Sequence, residues 1–233
     1  MTELGPAPAT LLLDAGNTLV FFHADAAAEV LKAHGVVAEG PELEAAIPEA
    51  VRHYEKFLRN GGSHDEGWFE WTGALLRHGV EAELAPDRLT ELVGELRRSH
   101  DELNLWRKVR PGTEEALEAL QTAGIQLGVI SNSEGAIVEL LEKVGLAKYF
   151  ETIIDSGRVG VNKPDERIFR IALEQLNATA ETSVYVGDVP AVDVDGARAA
   201  GLRAVLIDGY GHHPNYQAAP IIGAVGELAD AWA

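Results

Sequence analysis

The amino-acid sequence predicts an α/β protein, a doubly wound parallel sheet into which a helical domain is inserted. An apolar run at positions 10–13 indicates a buried first strand. Residues 21–103 then show helical periodicity and no strand pattern. From Pro111 onward, apolar strand patterns alternate with amphipathic helical patterns, which is typical of a parallel sheet covered on both faces by helices. We therefore expect a core of residues 1–20 and 104–233, with residues 21–103 inserted.

Composition limits the classes of partner. The 233 residues carry a formal net charge of −18, which argues against nucleic acids and anionic membranes because both are polyanions. A small phosphorylated molecule remains compatible, since a divalent cation and a few basic groups can reverse the field locally. The sequence has no cysteine, which excludes disulfides and thiolate sites and favours a cytoplasmic location. It shows neither a signal-peptide pattern nor an apolar run long enough for a membrane span.

The inserted domain is predicted to contain four helices. Their apolar residues recur at three- and four-residue spacing, and glycine or proline marks most of their ends. The predicted helices cover residues 24–34, 41–59, about 68–79 and 86–103. Trp68 and Trp71 share one face of the third helix, and we expect them to pack the insert together rather than to bind a cofactor.

The core is predicted from alternating strand and helix patterns on either side of the insert. The predicted strands are residues 10–13, 126–131, 151–154, 183–187 and 203–207. Helices are predicted around residues 117–120, 137–141, 168–176 and 193–200, and from about residue 226. Such a pattern places all strand carboxyl ends at one edge of the sheet, where ligands bind in this class of fold.

Polar side chains follow the predicted core strands. In chain order they are Asp14, Ser131, Lys163, Asp188 and Asp193. A hydroxyl, an ammonium group and carboxylates at one sheet edge suit phosphoryl transfer, because the first two hold phosphoryl oxygens while carboxylates bind Mg²⁺ and supply a nucleophile. Any one of these residues alone is also compatible with a helix cap or a solvated side chain. Their order and positions together favour a reactive site.

The motifs that contain these residues resemble those of the haloacid dehalogenase superfamily of hydrolases. The resemblance extends over essentially the whole chain. Residues 14–19 (DAGNTL) are similar to the first motif of that family, whose leading aspartate is the nucleophile. Residues 129–132 (VISN) resemble the second motif, Lys163-Pro164 the third, and Gly187-Asp188 with Asp193 the fourth. The core resembles the Rossmann-like domain of the family, and the insert resembles its four-helix, C1-type cap, which closes over the site and selects substrates.

The resemblance implies a Mg²⁺-dependent phosphatase that acts on a small phosphorylated metabolite through an aspartyl-phosphate. Asp14 would be the nucleophile, with Ser131 and Lys163 as further catalytic residues that hold the phosphoryl oxygens. The implied metal ligands are the carboxylates of Asp14, Asp188 and Asp193 and the main-chain carbonyl of Gly16. The implied substrate-binding residues are Gly16, Asn17, Thr18, Ser131, Asn132 and Lys163, assisted by main-chain amides after Asp14.

Gly16 departs from the pattern of the phosphatases in that family. They carry a second aspartate at this position, which protonates the leaving group and then activates water. Glycine can still offer its carbonyl to a metal, but it cannot move a proton. Loss of a general acid–base typically costs about 10²–10⁴ in rate, or roughly 3–5 kcal/mol of barrier. Such a loss is tolerable for a good leaving group, such as an acyl phosphate, and severe for an alkyl ester.

Three functions remain open on this ground. The first is a phosphatase whose proton transfer comes from elsewhere, with His23 at the start of the insert as a candidate and a hinge position as its alternative role. The second is phosphonate or haloacid cleavage; phosphonate cleavage would need a reactive lysine, for which the predicted insert offers Lys32 and Lys56. The third is a phosphate-binding or regulatory protein with little turnover.

Adjacent histidines occur late in the chain, at His212 and His213. Glycine and proline surround them, at Gly209, Gly211 and Pro214. This composition predicts a solvated loop, with a ligand role as the alternative.

Overall fold

The computed structural model describes residues 4–63 and 66–233, which form two compact units. One unit is the described part of Met1–Phe21 together with Val109–Ala233, and the other is the described part of Phe22–Lys108. The first is an α/β unit and the second is built mainly from helices. In the parts described, no helix is both long enough and apolar enough to span a membrane.

The α/β unit contains a six-stranded sheet in the order β5-β4-β1-β6-β7-β8. All of its pairings are parallel. Its strands are β1 (Thr10–Leu13), β4 (Gln126–Ser131), β5 (Thr152–Asp155), β6 (Ser183–Gly187), β7 (Arg203–Ile207) and β8 (Ile221–Ile222); two further strands, β2 (Phe21–Phe22) and β3 (Trp106–Lys108), form a separate two-stranded sheet. The five core strands predicted from the sequence are all present, and the fold class is confirmed.

β1 lies at the centre of the sheet, which explains its unbroken apolar sequence. Leu12 belongs to a buried cluster that includes Phe169 and Tyr185, on one face of the sheet. Leu11 and Leu13 point to the opposite face and are fully buried as well. A strand buried on both faces needs apolar residues at every position rather than at alternate ones.

The helices of the α/β unit follow the strands in alternation. They are α5 (Thr113–Thr122), α6 (Ile137–Lys143), α7 (Ser156–Val159), α8 (Glu166–Gln175), α9 (Asp195–Ala199) and α10 (Gly226–Trp232). A π-helical turn at Pro190–Val194 precedes α9. Residues 193 and 194 of the predicted helix belong to this π-helical turn, which continues directly into α9. In the turn, the Val189 amide donates to the carboxylate of Asp193.

The helical unit contains α1 (Ala24–Ala33), α2 (Gly40–Arg59), α3 (Gly67–Gly79) and α4 (Pro86–Leu103). Their bounds agree with the predicted ranges to within one or two residues. Pro41 and Pro86 stand in the first turns of α2 and α4, where the missing N–H costs nothing. The ring of Trp106 lies 4.8 Å from that of Trp71 and 5.7 Å from that of Trp68, centroid to centroid. The predicted packing role of the two tryptophans is confirmed.

Short strands were not predicted. The expectation that residues 21–103 contain no strand is wrong, since β2 occupies Phe21–Phe22. A two-residue strand shows no periodicity along the sequence, and the same is true of β8. The compact helical unit also begins at Phe22 and ends at Lys108, five residues beyond the predicted end, because β3 belongs to it.

Candidate active site

Asp14 stands at the carboxyl end of β1, where the neighbouring strand fixes its backbone. Its N–H donates to the Val186 carbonyl of β6 (2.8 Å). The chain then turns sharply, with the Ala15 carbonyl accepting bonds from the Leu19 and Val20 amides (both 2.9 Å). Asn17 has a φ of 54°, a left-handed conformation that asparagine tolerates better than most residues. The turn holds the buried Asp14 side chain at the edge of the sheet.

Lys163 joins Asp14 to two other buried groups. Its Nζ donates to Asp14 Oδ1 (2.5 Å), to Asp193 Oδ1 (2.7 Å) and to the hydroxyl oxygen of Tyr185 (2.8 Å). An ammonium group has three N–H donors, so these contacts use its full capacity. Burial by itself would lower the pKa of Lys163, but the two carboxylates outweigh it and hold this pKa above its ordinary value. Lys163 is therefore a permanent cation in the site.

The backbone of Lys163 is held by the side chain of Asn132. Asn132 Nδ2 donates to the Lys163 carbonyl (3.0 Å), and its Oδ1 accepts from the Lys163 amide (2.8 Å). These reciprocal bonds fix Lys163 against the end of β4. They assign the Asn132 amide to positioning Lys163, so the substrate contact expected of Asn132 stays a prediction.

Asp193 is engaged through both carboxylate oxygens. Oδ1 accepts from Lys163 and from the Tyr185 hydroxyl (3.1 Å), and Oδ2 accepts from the Val189 amide (2.8 Å). Gly187 makes room for this arrangement, because a Cβ there would overlap the Asp193 carboxyl group. Asp193 thus acts first as the partner of Lys163, and any metal contact it makes comes in addition.

Tyr185 is the site residue that sequence reasoning missed. It lies on β6 and is fully buried, and its hydroxyl contacts Lys163, Asp193 and the Ile130 carbonyl (3.2 Å). The available signal was a hydroxyl-bearing ring inside the strand that leads to Asp188. Buried tyrosine hydroxyls usually have a hydrogen-bond partner, so such a residue points to a polar neighbour.

Asp188 lies at the end of β6 and is buried. Its Oδ2 accepts from Asn17 Nδ2 (3.1 Å), which ties it to the turn after Asp14. Burial, together with the carboxylates of Asp14 and Asp193, raises the pKa of Asp188 well above its ordinary value. Burial and the Asp193 carboxylate also raise the pKa of Asp14 to about 6, against the opposing influence of Lys163.

The charged groups of the site favour binding of a cation. Ligand oxygens of Asp14, Asp188 and Asp193 lie within 4.8 Å of one another. One ammonium group faces three carboxylates, and burial removes the water that would otherwise stabilise their negative charge. A hard divalent cation binds through carboxylate oxygens and would neutralise the excess. The donor set therefore fits Mg²⁺, while the predicted contribution of the Gly16 carbonyl stays a prediction.

Two amides that follow Asp14 donate hydrogen bonds within the turn. The Asn17 N–H donates to the Val20 carbonyl (2.8 Å), and the Thr18 N–H donates to the Ala15 carbonyl (3.4 Å). These two amides close the turn itself, and the expectation that main-chain amides after Asp14 assist the phosphoryl group stays a prediction. The substrate contacts expected of Gly16, Asn17 and Thr18 stay predictions.

Ser131 ends β4, the strand that pairs with β1. The register aligns Leu13 with Val129, so Ser131 lies level with the turn that follows Asp14. It is buried, as expected for a residue inside the site. Its contact with a phosphoryl oxygen stays a prediction.

The remaining candidates are placed as follows. His23 Nδ1 accepts from the Ala26 amide (3.3 Å) and so caps α1, which is a structural role. Lys32 and Lys56 are exposed. The solvated loop predicted at His212 is wrong, because its side chain is 2% exposed and its Nδ1 lies 2.8 Å from Asp208 Oδ1. Asp208 folds this segment by also accepting the His212 and His213 amides (3.0 and 2.7 Å).

Known proteins resemble this chain over most of its length. The family model of haloacid dehalogenase-like hydrolases matches residues 8–201. The mouse (Mus musculus) haloacid dehalogenase-like hydrolase domain-containing protein 3 is 30% identical over 181 residues, which cover 76% of this chain and 72% of that protein. The phosphoserine phosphatase of Thermus thermophilus is 38% identical over 129 residues, covering 55% of this chain and 50% of that enzyme.

Among solved structures, the HAD hydrolase YfnB of Bacillus subtilis, bound to magnesium, resembles the present fold with a TM-score of 0.71. The likeness covers 97% of this chain and 98% of that one, at 21% sequence identity. The family model spans most of the chain, and the mouse relative is matched over more than two thirds of its length. This chain belongs to the haloacid dehalogenase-like hydrolases.

Proposed function

We propose that this hydrolase is a Mg²⁺-dependent phosphatase that acts on a small phosphorylated metabolite through an aspartyl-phosphate on Asp14. The observation that carries the proposal is the 2.5 Å contact between Lys163 Nζ and Asp14 Oδ1, in a buried site. That contact fixes one carboxylate oxygen and orients the group as a nucleophile. The similarity to phosphoserine phosphatase supports phosphate ester or anhydride chemistry.

The first step is attack by the Asp14 carboxylate on phosphorus. A bond forms between the Asp14 oxygen and phosphorus as the bond to the leaving-group oxygen breaks, and that oxygen departs with its electron pair. Lys163 stays protonated throughout and offsets the negative charge of nucleophile and phosphoryl group. The Ser131 hydroxyl donates a hydrogen bond to a phosphoryl oxygen. When bound by Asp14 and Asp188, Mg²⁺ would neutralise further charge on the transferring phosphoryl group.

The second step is attack by water on the aspartyl-phosphate, which releases phosphate and restores Asp14. No side chain at Gly16 protonates the leaving group in the first step or activates water in the second. We therefore propose substrates whose leaving group departs as a stable anion, with acyl phosphates first.

The alternative chemistries have less support. Phosphonate cleavage needs a lysine whose amine is free of charge, and both Lys32 and Lys56 are exposed, where nothing desolvates the ammonium group. Haloacid cleavage in this family does not use a metal, whereas the three clustered carboxylates suit one. A purely regulatory role would not require the nucleophile and its paired lysine to be buried together.

We assign the role of a substrate-selecting cap to the helical domain, predicted at residues 21–103, and catalysis to the α/β core. The cysteine-free composition supports a cytoplasmic location.

Steady-state hydrolysis of an activated aryl phosphate tests the proposal. The parent protein should turn over with Mg²⁺ and lose activity on chelation or with Asp14→Asn. Gly16→Asp should accelerate turnover by about 10²–10⁴, the usual contribution of a general acid–base. An inert parent together with an active Gly16→Asp variant would contradict natural phosphoester hydrolysis. Activity that ignores Mg²⁺ in both variants would contradict the metal assignment at Asp188.

A further inference from the structure

The α/β unit contains a cavity beside the turn that follows Asp14. Its volume is about 240 Å³. Residues that line it include Thr18, Phe21, Arg110, Pro111, Thr113 and Val225. The volume is below the 300–1,000 Å³ typical of drug-sized sites, so the cavity suits a small molecule. None of Asp14, Lys163, Asp188 and Asp193 lines it.

Arg110 places a cation at this cavity. Its guanidinium carbon lies 3.7 Å from the ring centroid of Phe21 and 5.0 Å from that of Tyr210. Gly209 leaves space for the group, because a Cβ there would overlap the guanidinium. Within the described residues, Arg110 has these ring contacts and no carboxylate partner. In a chain with a net charge of −18, a partly buried arginine without an acidic partner indicates a place for an external anion.

Two other groups at the cavity can donate hydrogen bonds. The Thr18 hydroxyl is buried, with the residue 1% exposed, and it has no hydrogen-bond partner among the residues described. The ten-residue helix α5 begins at Thr113, and its N-cap is Gly112, which has no side chain to cap the first turn. The N-terminus of a helix carries partial positive charge and unsatisfied amides. Glu114 in that turn is already paired with Lys148 (3.2 Å).

We propose that this cavity binds the carboxylate end of a small organic acid. The guanidinium would pair with the carboxylate, and the Thr18 hydroxyl would donate to it. Phe21, Pro111 and Val225 would cover the short apolar remainder of the acid. This proposal goes beyond the phosphatase activity, because binding here needs neither the nucleophile nor the metal.

Calorimetric titration of the full-length protein with butyrate, and separately with inorganic sulfate, tests the site without turnover. The variants are Arg110→Met, which removes the charge, and Gly209→Ala, which keeps the charge but displaces the guanidinium. Arg170→Met is the matched control, since Arg170 pairs with Glu166 on the surface of α8. Amide NMR signals of Gly112 and Thr113, followed through the same titration, locate the binding.

The parent should bind butyrate saturably and more tightly than sulfate, with shifts at Gly112 and Thr113. Both cavity variants should bind about tenfold more weakly or worse, as expected for a lost charged hydrogen bond, and Arg170→Met should match the parent. No saturable binding by the parent would overturn the proposal. So would equal affinity in Arg110→Met or equal affinity for sulfate. If Arg110→Met does not fold, Gly209→Ala and the butyrate-to-sulfate comparison still decide.

Inhibition kinetics show whether the bound carboxylate belongs to the substrate or to a separate effector. Butyrate that competes with an aryl phosphate identifies the cavity with the far end of the substrate, and non-competitive inhibition identifies a separate effector. A protein that binds butyrate but hydrolyses nothing would contradict the phosphatase and leave the cavity assignment standing.

Discussion

The Tyr185 hydroxyl oxygen lies 2.8 Å from Lys163 Nζ and accepts a hydrogen bond from it, while the other two ammonium N–H groups donate to Asp14 and Asp193. A phosphoryl oxygen that reaches Lys163 must therefore replace one of these acceptors, or accept from an N–H that already donates to one of them. The Tyr185 hydroxyl is buried beside the Ile130 carbonyl, so it holds the ammonium group from the interior of the unit. Tyr185 is a positioning residue in this arrangement.

Tyr185→Phe should lower kcat by about 10- to 100-fold, because hydrogen bonds to charged groups are worth about 1.5–3 kcal/mol. KM should change less, since the lost contact acts on Lys163 and not on the substrate. Tyr149→Phe is the matched control, because its hydroxyl contacts Glu114 (3.3 Å) outside the site. Steady-state kinetics of both variants make the comparison. Equal kcat losses in the two would contradict a positioning role for Tyr185.

Asn132→Ala should reduce both stability and turnover. It removes two hydrogen bonds to the Lys163 backbone, so the free energy of unfolding should fall by about 1–3 kcal/mol. Gln121→Ala removes a bond to the Tyr149 carbonyl (2.9 Å) and should cost stability without lowering kcat. Urea unfolding and steady-state kinetics on both variants separate the two effects. A normal kcat in Asn132→Ala would show that Lys163 stays correctly positioned without the two hydrogen bonds from Asn132.

Stability should depend on pH in a direction set by the raised pKa of Asp14. In the unfolded chain this carboxyl group loses its proton near pH 3.8, whereas the pKa in the folded protein is about 6. Between these values the metal-free protein takes up a proton on folding, so its free energy of unfolding falls as the pH rises through this window. Asp188, whose pKa is also raised, acts in the same direction.

Mg²⁺ binds the ionised carboxylates, so its stabilising effect should grow over the same window. We expect Mg²⁺ to raise Tm more at about pH 7.5 than at about pH 5. Thermal unfolding with and without Mg²⁺ at both pH values measures this, and Asp14→Asn should reduce the difference. An equal shift at the two pH values would place Mg²⁺ away from Asp14 and Asp188.

The missing acid–base group at Gly16 should make the aspartyl-phosphate accumulate. An activated aryl phosphate does not need protonation of its leaving group, so the first step can be faster than attack by unassisted water. Rapid mixing should show a burst of aryl alcohol close to the enzyme concentration, followed by slow turnover. Gly16→Asp should remove the burst and raise the steady rate. Linear release by the parent, with full activity, would show that another group activates water.

The sequence predicted the architecture and the convergence of Asp14, Lys163, Asp188 and Asp193, because strand patterns and motif order locate the carboxyl edge of a parallel sheet. It did not predict that Tyr185 belongs to the site, since a residue in a central strand reads as part of the apolar core until its hydroxyl contacts are known. The contact of His212 with Asp208, four residues earlier, is one that no periodicity indicates. Strands of two residues, such as β2 and β8, carry no pattern that a sequence can show.

The placement of β1 between β4 and β6 sets an order of events during synthesis. β1 is made first, but its partners begin at Gln126 and Ser183, each more than a hundred residues later. At roughly 5–20 residues per second on the ribosome, β1 waits about 5–20 s for its first partner. During this time Leu11, Leu12 and Leu13 form an unpaired apolar segment of the nascent chain, while the helical unit can already fold from local contacts. The site around Asp14 can therefore form only after β4 and β6 have been synthesised.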